Sequence, residues 1–147
     1  MTTTNKPTIG FWMIAVIAFI WNLMGAYMYI IQKYKTAAFE SQYTSMQLDM
    51  IYSMPAWATA AFAIAVFGGV LGSVTLLMRR KIAASIYFLS LIGIIAHMIY
   101  NIFISAAIEV YGPGAIVMPI MVLVIGLFLY TYSRKSSIKG WLNLNKT

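Results

Sequence analysis

The stretch from Ile9 to Ile31, IGFWMIAVIAFIWNLMGAYMYII, contains no charged residue. An α-helix rises ~1.5 Å per residue, so about 20 apolar residues cross roughly 30 Å of hydrocarbon. This run meets that length, and three more do: Pro55–Met78, Ile82–Val110 and Ala115–Tyr132. Inside lipid every backbone N–H and C=O needs an internal partner, which leaves only helices or a closed barrel. Unbroken apolar runs do not read as the alternating strands of about ten residues that build a barrel. The predicted fold class is therefore all-α, a membrane-spanning antiparallel four-helix bundle forming one domain over residues 1–147. Pro55 suits the first turn of the second span, and Pro113 with Gly114 marks a tight turn before the fourth.

Composition points the same way. Hydrophobic side chains make up 62% of the chain and charged ones 9%, with a mean hydropathy of +0.84, whereas soluble domains are about 25% charged. The net charge of +7 sits in short clusters at the ends of the apolar runs and forms no basic face. The lipid bilayer, and not nucleic acid, is thus the expected partner. The chain has no cysteine, which excludes disulfides, thiolate metal sites, iron–sulfur clusters and attached c-type haem. One lysine precedes the first run and no small-residue cleavage signal follows it, so that run is expected to be a retained helix and not a signal peptide.

Lysine and arginine set an orientation. Lys6, Arg79, Arg80, Lys81, Arg134, Lys135, Lys139 and Lys146 would share one side, against Lys33 and Lys35 with Glu40, Asp49 and Glu109 on the other. By the positive-inside rule the first side is cytoplasmic, and with it both termini. The long connection from Gln32 to Met54 then lies outside. In it Phe39, Tyr43, Met46, Met50 and Met54 recur at helical spacing, which predicts an amphipathic segment at the interface or a lid over the bundle. Trp12, Trp57, Tyr130, Tyr132 and Trp141 read as interfacial aromatics.

On the third span Ser90, Gly93, His97, Asn101 and Ser105 share one helical face, and on the first span Ala15, Ala18, Asn22, Gly25 and Tyr29 share another. Polar groups in lipid are costly, so these faces should turn inward, with Asn22 and His97 expected to meet near mid-membrane. One reading is a path for a small solute or a proton lined by His97, Asn101, Asn22, Ser90 and Ser105. The other is interhelical hydrogen bonding that fixes the packing. Ala58, Ala61, Ala65, Gly68 and Gly72 form a small-residue stripe on the second span, and Gly68, Gly72 and Gly25 are expected to serve helix packing, within the bundle or between protomers.

The remaining chemistry is sparse. Met46, Met50 and Met54 could in principle offer soft ligands to Cu(I), but no histidine or cysteine accompanies them and methionine commonly fills apolar gaps, so no metal is expected. His97 as a haem ligand would need a methionine or a symmetry mate beside it, and no cofactor is expected. Glu40, Asp49, Glu109 and His97 are too few and too scattered for acid–base, nucleophilic or metal-assisted chemistry, so no catalytic residue is assigned and the chain does not read as an enzyme.

Known four-span families give mostly mismatches. The first span has Asn22 where small multidrug antiporters carry a membrane glutamate, and every arginine here is at a membrane edge, unlike the bundle arginines of membrane glutathione-transferring enzymes. The lopsided charge is unlike that of dual-topology fluoride channels. By contrast Trp21-Asn22-Leu23-Met24-Gly25-Ala26-Tyr27, Pro55-Ala56-Trp57 and Val66-Phe67-Gly68-Gly69-Val70-Leu71-Gly72-Ser73, with Leu76-Leu77 and Arg79-Arg80, resemble an uncharacterised family of small four-helix bacterial inner-membrane proteins, sometimes loosely labelled sugar transporters. The resemblance covers roughly the first two thirds of the chain and implies a bacterial cytoplasmic membrane. Two function classes follow: a small transport or channel component, or a non-catalytic accessory subunit that docks other membrane proteins. Because four helices enclose little space, a solute path is expected between protomers of a homo-oligomer.

Overall fold

A computed structural model describes residues 5–142 and is all-α across them. Lys146 lies outside the described residues. Helix α1 (Ile9–Lys33) starts at Thr8, whose hydroxyl accepts the Phe11 N–H at 3.3 Å. The long connection folds into α2 (Ala37–Glu40) and α3 (Ser45–Tyr52). Thr44 and Gln47 exchange side-chain and backbone hydrogen bonds at the start of α3, satisfying two donors that a helix end leaves open. Helix α4 (Ala56–Leu77) follows Pro55, and α5 (Ala83–Ile99) continues through a π-helical turn, Tyr100–Ile104. A short α6 (Ala107–Tyr111) and a 3₁₀ turn (Pro113–Ile116) lead into α7 (Val117–Ile138). Ile9–Lys33, Ala56–Leu77, Ala83–Ile104 and Pro113–Ile138 are each long and apolar enough to cross a membrane, the arrangement of a multi-pass membrane protein.

Three boundaries differ from those expected. The third span stops at Ile104 and not at Val110: Ser105 is extended (ψ 157°) and its hydroxyl takes the Asn101 carbonyl at 2.8 Å, which ends the ladder. The fourth helix runs on past Tyr132 to Ile138, with Lys135 in its last turn, where a cation suits the helix dipole. The outer connection is not one stripe, because residues 41–44 interrupt it; Phe39, Tyr43, Met50 and Met54 turn inward, whereas Met46 is 66% exposed.

Packing runs in chain order, α1 on α4, α4 on α5 and α5 on α7, while α1 and α7 form no comparable interface. Helix α4 sits between its neighbours by virtue of its small side chains. Ala58, Ala61, Ala65, Gly68, Gly69, Gly72 and Ser73 are all buried. A Cβ on Gly68 would come within 3.0 Å of Ser90 Cβ, and one on Gly72 within 2.8 Å of the Tyr87 ring, so α5 approaches more closely than any larger residue permits. From the other flank Asn22 of α1 rests on Gly69, and Gly25 faces Val66.

The two ends differ in chemistry. At one, Arg79, with a left-handed φ of 57°, donates through Nε to the Trp141 carbonyl at 2.7 Å and through a terminal nitrogen to the Asn5 carbonyl at 3.4 Å. Asn5 in turn donates to the Lys139 carbonyl at 3.1 Å. These bonds gather the first described residues, the α4–α5 turn and the segment after α7 into one basic end. Beneath it Phe11, Ala15, Ala18, Leu76, Ala83, Leu129 and Leu142 form a closed core, with Phe11 stacked on Tyr132 at 6.4 Å. The opposite, loop end carries α2, α3 and α6.

Candidate functional site: a cavity between the spans

Since α1 and α7 meet at the basic end and not along their outer halves, the four spans leave between them a half-open cavity of about 700 Å³. Sequence reasoning expected only a narrow interior within one chain; the space between these spans is larger, though half open. Helices α1, α4, α5 and α7 form its walls, and Phe39, Tyr43, Met50, Ile51 and Met54 of the outer connection its roof. Met24, Met28, Met50, Met54, Met98 and Met118 all line it, and among the described residues no Asp, Glu, Lys or Arg does. Unbranched thioether side chains adapt their shape to whatever they pack against.

Polar groups occupy two levels. At the lower one, Asn22 donates both amide hydrogens, to the Ala18 carbonyl at 2.8 Å and to Ser73 Oγ at 3.2 Å. Ser73 gives its single hydroxyl proton to the Gly69 carbonyl at 2.9 Å, so in its 2.9 Å bond with Tyr87 the tyrosine must be the donor. The serine thus accepts twice and donates once. Ser90, also buried, donates to the Ala65 carbonyl at 2.6 Å.

At the upper level the His97 ring stacks on Phe62, centroids 4.7 Å apart and planes 17° from parallel, with Nδ1 at 3.3 Å from the Ala58 carbonyl. A carbonyl can only accept, so Nδ1 carries the proton of that bond and Nε2 of the neutral ring is left as an acceptor. Asn101 donates to the His97 carbonyl at 3.1 Å, at the start of the π-helical turn, an irregularity common at functional sites.

Of the five path candidates, His97, Asn101, Asn22 and Ser90 line the cavity. Ser105 does not; its hydroxyl accepts the Ala107 N–H and starts α6. Asn22 and His97 face the same space without meeting: Asn22 is level with Tyr87, ten residues before His97, or about 15 Å along the helix. Sequence reasoning missed the roles of Tyr87 and Ser73, although Tyr87 lies three residues before Ser90 on the same face. Among the described residues no three His, Asp or Glu side chains gather as for a metal ion, and the exposure of Met46 prevents its joining Met50 and Met54.

The roof has its own clasp. Tyr52 donates to Glu40 Oε1 at 3.0 Å, joining α3 to α2, and the Lys35 ammonium lies 4.4 Å above the Tyr52 ring. Desolvation first, and then the Glu40 carboxylate, hold the Tyr52 hydroxyl above its ordinary pKa. Tyr111, in the cavity wall beside the roof, is raised as well, by desolvation and then by Tyr43.

No protein family, curated protein or solved structure matches the chain.

Proposed function

We propose that the protein is a small transport component of a bacterial cytoplasmic membrane, multi-pass with both termini inside, which takes a solute into the cavity between its spans. The observation that carries this reading is the cavity itself: about 700 Å³ within one chain, inside the range of small-molecule sites. Below the Ser73–Tyr87 level the core around Phe11 and Leu76 fills the bundle, so this conformation is occluded toward the basic end and is not an open pore. The basic end faces the cytoplasm because seven of its lysines and arginines would otherwise have to be translocated.

The absence of cysteine makes accessibility a clean test. In reconstituted vesicles a cysteine at Met98 should react with a lipid-soluble thiol reagent and be shielded from a water-soluble one supplied at the basic end. Equal reactivity from the basic end would contradict the occluded arrangement. His97→Ala and Asn101→Ala should abolish solute flux; unchanged flux would leave those side chains a packing role.

A second reading is an accessory subunit that docks other membrane proteins or its own copies. Helix α7 favours it, being the least buried of the four spans. Crosslinking in lipid that yields monomer alone would count against that reading.

A further inference from the structure

We infer that the occupant of the cavity is an uncharged, lipid-soluble molecule bearing a hydroxyl group, taken up sideways from the hydrocarbon between α1 and α7. The inference rests on the cavity being a binding site and adds the class of ligand.

Charge comes first. Among the described residues no Asp, Glu, Lys or Arg lines the cavity, so an anion or cation entering it would lose its hydration and gain no counter-charge. Polarity narrows the choice further. A sugar would bring many hydroxyl groups to walls of methionine, isoleucine and aromatic rings and leave most of them unpaired, whereas a largely apolar molecule leaves few.

His97 specifies the head. Its Nδ1 proton is committed to the Ala58 carbonyl, its ring is held against Phe62, and Nε2 has no partner among the described residues. Asn101 uses one amide hydrogen on the His97 carbonyl and keeps a donor and an acceptor. A hydroxyl can donate to Nε2 and accept from the amide, whereas an ether or ketone can only accept and would leave Nε2 buried and unpaired.

The route is lateral. Met24 on α1 and Met118 on α7 both line the cavity, yet are 59% and 57% exposed, which places them on opposite lips of the gap between the two helices. Met24 lies fifteen residues into α1, about 22 Å from its start, within the hydrocarbon. From the aqueous side the cavity is roofed by Phe39, Tyr43 and Met50.

The test uses the full chain in lipid nanodiscs and three photoactivatable diazirine probes: a twelve-carbon alcohol, the matching carboxylate, and glucose. After irradiation the labelled residues are mapped by mass spectrometry. The alcohol should label Met98 and Ile94 at least about tenfold more than the carboxylate does, because the anion would enter without a counter-charge, with both labelling lipid-facing Ile17 and Leu71 alike. Unlabelled dodecanol should compete and its methyl ether should not, a comparison that needs no variant; His97→Phe should abolish the preference. Competition by the ether as strong as by the alcohol, or a cavity labelled equally by the carboxylate, overturns the inference. Labelling of the cavity by glucose alone would overturn it and leave the transport reading standing, and a cavity labelled by none of the three would overturn both.

Discussion

Tyr87 on α5 donates its hydroxyl proton to Ser73 on α4 across 2.9 Å, and the same serine accepts from Asn22 on α1 at 3.2 Å. Three spans are thereby joined at one oxygen. Ser73→Ala strands two donors at once, so it should destabilise the bundle more than Tyr87→Phe, which removes a single bond. With interhelical hydrogen bonds in membranes averaging about 0.6 kcal/mol, Tyr87→Phe should lie near that value and Ser73→Ala at about 1–3 kcal/mol. Detergent-denaturation curves for both variants and the double variant measure the difference; equal losses would show that Ser73 is not the hub.

Close helix approach gives a graded series. A Cβ on Gly93 would meet the Ala61 carbonyl oxygen and the Ala65 nitrogen, both at 2.8 Å, and these backbone atoms cannot swing aside. Gly93→Ala is expected to be the most damaging, by about 1–3 kcal/mol or more. Gly68→Ala should follow, and Gly114→Ala, with nothing within 4 Å, should be neutral. Thermal midpoints in mild detergent check the order.

At the basic end Arg79→Ala frees the Trp141 and Asn5 carbonyls together. The expected result is faster hydrogen exchange and protease cleavage around residues 139–142 with little change in the midpoint of global unfolding. Arg79→Lys should not restore protection, since one ammonium cannot reproduce two donors held at fixed angles.

The roof clasp has a pH dependence of known sign. Because the Tyr52 hydroxyl is raised above its ordinary 10.0, its contribution is complete below that value and is lost as pH rises through the higher folded value. Absorbance titration of the phenolates should show late-ionising tyrosines, Tyr52 and Tyr111 among them, of which one moves earlier in Glu40→Gln. If Glu40→Gln left the titration unchanged, the carboxylate would not be the partner that matters.

The spans were legible because apolar length in lipid admits almost one solution, and the buried face of α4 was legible because Ala58, Ala61, Ala65, Gly68 and Gly72 repeat at helical spacing. The break after Ile104 was not, since it depends on Ser105 leaving the helix to bind a carbonyl that any serine in a membrane span can also bind without breaking it. The cavity was illegible for a different reason. It is produced by what α1 and α7 fail to touch, and the exposed apolar side chains of a lipid-facing helix look the same as those of a cavity wall. Tyr87 and Ser73 carry no unusual spacing of their own; only the depth to which Gly72 lets α5 approach brings them into contact.

The packing of each span on the next one in the chain has a consequence for biogenesis. Every major helix interface joins neighbours in synthesis, so each span finds its partner already in the membrane when it emerges, while the basic-end contacts, such as Phe11 with Tyr132 and Asn5 with Lys139, wait for a distant segment. Such low contact order favours fast assembly. The fourth span, α7, is attached mainly through α5, so its outer half is the part that can open while the basic end stays joined.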